Sequence, residues 1–217
     1  MSPAARSALP QAFFLPGDTG QRFCLYHPPQ GSSPQGRVLY LHPFAEELNS
    51  TRRVVAQQAR ALAQAGYGVL QMDLLGCGDS SGDFADTTWD AWLQDAQQAR
   101  RWLLEHGSGP LWLWGMRAGA LLAARLAQQP QEGGDPTHLL LWQPVASGQQ
   151  QLQQFLRLQA ASQWLGNASS GQTPAQALAL GQGINDNLNK GRFRIDFAQG
   201  NEPAYVAKRA IGHADEG

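Results

Sequence analysis

Apolar residues along this chain recur with two different periods, and the alternation of those periods sets the architecture. Short apolar runs stand at "RVLYL" (37–41), "YGVLQM" (67–72), "LWLWG" (111–115) and "HLLLW" (138–142). Between them the apolar positions return every three or four residues, from Thr51 to about Ala65, from Thr88 to about His106 and from Arg117 to about Gln128. Brief continuous runs suit strands buried on both faces, and the longer periodic stretches suit amphipathic helices. Strand, helix and strand in this rhythm predict a mostly parallel sheet with helices on both faces. Upstream, "QAFFL" and "RFCLY" flank "PGDTGQ", whose proline and glycines supply turn geometry, so an antiparallel hairpin precedes the sheet.

Local residues sharpen these elements. Thr87 with Asp90 three residues later fits a capping box, and Trp89, Trp92, Leu93, Ala96 and Leu103 then share the core face of the second helix. Gly66 stands where the first helix needs a left-handed C-terminal residue. A further helix over 149–165 carries Leu152, Phe155, Leu156 and Gln159 on one stripe between glutamine-rich flanks, suited to a lid, a cap or a dimer face. Past Gly183 the composition changes: Ile184, Ile195 and Ile211, with Lys190 and Lys208, are the only isoleucines and lysines in the chain. In that stretch "RFRIDF" alternates in the manner of an edge strand. The reading is one main domain over 1–183 and an atypical, loosely ordered tail over 184–217 that replaces the normal ending through a frameshift or truncation.

Composition narrows the function classes. With 217 residues, 42% of them hydrophobic, the chain builds one sizeable core. The formal charge of −1, from 16 basic and 17 acidic residues, gives no footprint for nucleic acid or an anionic membrane. Cys24 and Cys77 lack metal-ligand spacing and are read as reduced, half-buried thiols; no cofactor or metal is expected. The apolar run Ala12 to Leu15 is too short for a signal peptide and no segment reaches membrane-spanning length, so the expected location is the cytoplasm.

The candidate chemistry centres on Gly115-Met116-Arg117-Ala118-Gly119, which follows the third apolar run and opens a helix. Strand, glycine turn and helix are the context of a G-x-S-x-G nucleophile elbow, yet arginine holds the apex. A guanidinium cannot attack an ester. Above a helix N-terminus it suits a carboxylate or phosphate, or it is neutralised by Glu46 or Glu47 from the preceding loop. Cys77 and Ser80 lie after the second parallel run, where ligands bind in open α/β sheets, but turn building accounts for them equally. Asp73 caps or orients that loop. The last histidine, His213, stands in "IGHADEG", fifth from the end of the sequence counting itself, and is expected to be disordered.

Taken together, the hairpin, the four buried runs and the glycine elbow resemble the α/β-hydrolase fold over roughly residues 10 to 165. More narrowly, "HPFAEELNSTRR", "DLLGCGDSSGDF", "WLWGMRAGALLA" and "WQPVASGQQQLQQFLRL", in that order, resemble the exosortase A system-associated hydrolase type 2. The resemblance implies an ester or thioester hydrolase of a system that sorts exopolysaccharide-linked surface proteins, in a family whose elbow also carries a non-serine residue. It implies too that His42, Pro43 and Phe44 shape the oxyanion loop, with a structural loop bearing a surface histidine as the alternative. The candidate catalytic positions are then His42, Asp73 and Cys77, and the candidate ligand contacts are Arg117, Met116, Phe44, Glu46 and Glu47. Three readings stay open: a hydrolase, a non-catalytic module holding an acyl or anionic molecule or a protein partner, and an inactive truncated product.

Overall fold

The computed structural model describes residues 9–43, 46–84, 87–130 and 137–145. The hairpin is formed by β1 (Gln11–Pro16) and β2 (Gln21–His27), paired antiparallel with Phe13 opposite Cys24. Four parallel strands follow, β3 (Gly36–Leu41), β4 (Tyr67–Met72), β5 (Leu111–Met116) and β6 (Thr137–Trp142). The sheet order, β1-β2-β4-β3-β5-β6, places β4 and β3 in the middle, and β3 lies between β4 and β5 with Leu39 opposite both Leu70 and Leu113. The expected mostly parallel sheet with an N-terminal antiparallel hairpin is therefore present.

Strand alternation divides the core into two layers. Leu39, Leu41, Leu70, Met72, Leu111 and Leu113 face one way and meet α2 (Trp89–His106) and α3 (Gly119–Ala127). Val38, Tyr40, Val69 and Trp114 face the other way and meet Val55, Ala59 and Leu62 of α1 (Glu46–Gln64). Every residue of β3 is buried, as a strand with helices on both faces requires.

Two helix starts and one cap differ from expectation, each for a local reason. α1 begins at Glu46 rather than Thr51, so Glu46 and Glu47 lie on a helix and not on a loop. Ser50 and Thr51, at the expected start, donate their hydroxyls back to the Glu47 carbonyl from inside the helix. The N-cap of α2 is Thr88, whose hydroxyl accepts from Ala91 N at 3.1 Å, while Thr87 donates to Phe84 O. The box of Thr87 with Asp90 therefore does not form. α3 starts at Gly119, two residues late, because Arg117 still bonds the sheet through its N–H to Trp142 O at 3.0 Å. Gly66 closes α1 at φ 91°, in the left-handed region expected of it.

Three buried arginines hold the layers together. Arg37 donates to the carbonyls of Leu104, Gly107 and Gly109, closing the end of α2. Arg100 donates to Leu126 O and Pro130 O at the end of α3. Arg22 pairs with Asp95 at 2.8 Å and ties the hairpin to α2. The 149–165 helix, "RFRIDF", His213 and the tail over 184–217 lie outside the described residues.

Candidate functional site

Where β5 ends, the chain turns at Arg117, a non-glycine residue at φ 52°, and enters α3. The two glycines are needed for close approach. A Cβ on Gly119 would stand 2.6 Å from His42 O and 2.7 Å from Leu41 C, and one on Gly115 would stand 2.5 Å from Ala120 Cα. Glycine at both positions therefore lets α3 press against the ends of β3 and β5. The amides of Ala118 and Gly119 precede the first bonds of the helix, made by Ala120 N to Arg117 O and Leu121 N to Ala118 O.

The Arg117 side chain crosses to the first turn of α1, where its Nε donates to Glu47 Oε1 at 3.2 Å. Both side chains are about one-third exposed, at 29% and 36%, so solvent weakens the pair. Glu47 also sits at the positive end of α1, where a carboxylate is favoured. The side chain of Glu46 and the whole of Phe44, two further candidates, lie outside the described residues.

His42 is not a surface histidine. It is 3% exposed; its Nδ1 bonds Pro43 O and its Nε2 accepts from Leu74 N at 3.1 Å. Accepting a backbone N–H fixes the neutral tautomer with the proton on Nδ1. The ring thus ties the loop after β3 to the loop after β4. Burial is the main cause that lowers its pKa; the nearby Arg52 acts the same way, while Pro43 O and Asp73 oppose. The unfolded state therefore binds a proton first. The stability that neutral His42 provides is complete above the ordinary imidazole pKa near 6.5 and is lost as pH falls from there toward the depressed value. His27, also lowered by burial, contributes in the same direction. Urea unfolding between about pH 7 and pH 5 should show this decline, and a His42→Asn variant should be less stable at neutral pH with a shallower acid slope. Equal slopes in parent and variant would remove His42 from the account.

Asp73, at the end of β4, is 7% exposed. Its Oδ2 accepts from Arg52 Nη2 at 3.2 Å and from Asp79 N at 3.0 Å, so it braces the 74–80 loop from within. Cys77 is buried, not half-buried, and burial with the Asp73 and Asp95 charges raises its thiol to about 12. Cys24 is raised to about 12 in the same way, and both are free thiols. Ser80 donates to Asp73 O and accepts from Phe23 N, which commits its hydroxyl to the loop. Met116 packs in the α1-facing core layer, its sulfur accepting from the Tyr40 hydroxyl at 3.7 Å. A cavity of about 620 Å³ opens beside these groups, between Leu48, Asn49 and Arg52 of α1 and the Gly76–Asp79 turn.

Among the described residues, the elbow and its surroundings do not assemble a nucleophile with a base. The guanidinium cannot attack, the thiol is held protonated, the hydroxyl is spent on backbone groups, and the imidazole is neutral with both nitrogens engaged. Nor do the described residues group three His, Cys, Asp or Glu side chains as a metal site would. No helix among them is long and apolar enough to cross a membrane.

Similarity to known proteins agrees with the fold. The chain resembles an α/β hydrolase from Vibrio vulnificus, at 24% identity over 66% of this chain and 49% of that one, with a TM-score of 0.54. It also resembles a thermostable carboxyl esterase from Bacillus coagulans, at 17% identity over 75% of this chain and 53% of that one, with a TM-score of 0.53. The chain spans about half the length of these solved relatives. No curated protein sequence matches significantly. The sequence profile of the serine aminopeptidase S33 family matches residues 32–198, well over half of the 217 residues. The chain belongs to that family of α/β hydrolases.

Proposed function

We propose that this chain is an α/β hydrolase-family protein in which Arg117 stands where a nucleophilic serine would, and that it works as a non-catalytic module. The observation that carries the reading is Arg117 at φ 52°, between two glycines that the packing requires, with its guanidinium on Glu47. The four-motif resemblance supports a place in the exosortase A system, inside the cytoplasm. There the cavity between α1 and the Gly76–Asp79 turn would hold an acyl group or a protein partner of the surface-polymer machinery. Pairing with Glu47 brings the elbow closer to neutral, which favours these over a free anion.

The family match favours a second reading, an ester or thioester hydrolase. Hydrolysis of a short acyl nitrophenyl ester by the folded chain separates the two. The expected rate equals that of buffer, and saturable turnover that disappears on unfolding would overturn the non-catalytic reading.

A further inference from the structure

At the far end of the sheet's carboxyl edge, three strands from β5, the β1–β2 turn and one face of α2 enclose a second cleft of about 680 Å³. It shares no residue with the cavity beside Arg52, and neither Arg117 nor Glu47 lines it. Its floor is the ion pair of Arg22 and Asp95, which are 2% and 3% exposed.

The guanidinium of Arg22 is only partly used. Nε donates to Asp95 Oδ1, and Nη1 donates to the carbonyls of Thr19 and Gln21. Nη2, with two more N–H donors, has no hydrogen-bond partner among the described residues, and Arg22 lines the cleft. Gly17 lies against the guanidinium from the hairpin turn: a Cβ there would stand 2.9 Å from Arg22 Cζ and 3.0 Å from Nη2. Along α2, Gln94 and Arg101, seven residues apart and so on one face of the helix, are exposed and line the cleft beside Asp95. Asp18 and Asp83 face them from the turn and the loop after β4.

From this we infer that the cleft binds a small neutral polyhydroxylated molecule of the sugar or polyol class, independently of what the elbow does. A phosphate reaching Arg22 Nη2 and Arg101 would also meet the carboxylates of Asp18, Asp83 and Asp95. A metal cation drawn to those carboxylates would meet the guanidinium. A hydroxyl group both donates and accepts, so a ligand carrying several satisfies the arginines, the carboxylates and the Gln94 amide together. Hydrogen bonds to charged partners are also the stronger kind. The volume lies within the usual range for small-molecule sites.

Amide chemical-shift mapping of the full chain, titrated separately with D-glucose, sucrose and inorganic phosphate, tests the site. At least one sugar should give saturable shifts confined to residues 17–22 and 91–101, and phosphate should not. Replacing Gln94 and Arg101 together by alanine should leave the native spectrum intact and weaken sugar binding ~10-fold, as expected for two lost polar contacts. If the double variant fails to fold, Gln94→Ala alone, at an exposed position, carries the same expectation with a smaller loss. The inference is overturned if neither sugar saturates, if phosphate gives the saturable shifts instead, or if a folded variant binds as tightly as the parent.

Discussion

Replacing Asp95 by alanine is expected to cost about 3–5 kcal/mol of stability, the largest loss foreseen for a single polar side chain here. One oxygen of this carboxylate neutralises Arg22 at 2.8 Å and the other accepts Leu75 N at 2.8 Å, all in a buried setting. Without Asp95 a guanidinium stays buried without its counter-charge and a backbone donor loses its acceptor. The same carboxylate joins α2 to β2 and to the loop after β4, so its loss loosens three elements at once. Urea unfolding at neutral pH measures the effect. The joint variant Asp95→Leu with Arg22→Met should be more stable than Asp95→Ala, because it removes both charges and refills the volume. If Asp95→Ala unfolds at the parent's midpoint, the pair is not what holds the hairpin to α2.

Gly119→Ala is expected to destabilise by about 3 kcal/mol or more, above the usual cost of an added methyl, because the obstacle is backbone. The new Cβ would stand 2.6 Å from the His42 carbonyl oxygen and 2.7 Å from the Leu41 carbonyl carbon. Neither atom can swing aside as a side-chain tip would. To relieve the overlap α3 must lift from β3, which opens the layer holding Leu122, Ala123 and Leu126. Ala118→Gly, one residue earlier, adds no bulk and serves as the control for helix propensity. Thermal unfolding of both variants tests the argument, and a Gly119→Ala protein as stable as the control would contradict it.

The sheet and its two helical layers were legible because strands such as β3 and β5 are continuous apolar runs and the helices between them are periodic. The Arg117 turn was legible too, since glycines at 115 and 119 after an apolar run have few other uses. What escaped the sequence was polar and long-range. Arg22 and Arg37 stand at the start of the runs "RFCLY" and "RVLYL" and Arg100 falls inside the second helix, with nothing local to mark them, yet each is buried to close a helix end or pair a carboxylate far along the chain. Of the two readings of His42, the surface histidine fails, and the sequence did not show it because the donor the ring serves, Leu74 N, is 32 residues away and belongs to another loop. A polar residue directly after the apolar run 38–41 was the available hint, since a strand buried on both faces leaves little water at its end. The pairing of Arg117 with Glu47 was foreseeable from charge alone, although Glu47 acts from the first turn of a helix.

The central claim is that the elbow carries no nucleophile, and labelling with a fluorophosphonate tests it most directly. Such a probe phosphonylates an activated serine and releases fluoride, so the mass of the intact chain reports whether one exists. The folded chain should emerge at its starting mass, because Arg117 cannot be phosphonylated and Ser80 is committed to Asp73 O and Phe23 N. A single stoichiometric adduct on one serine of the folded chain, absent after prior unfolding, would contradict the account and establish a working nucleophile.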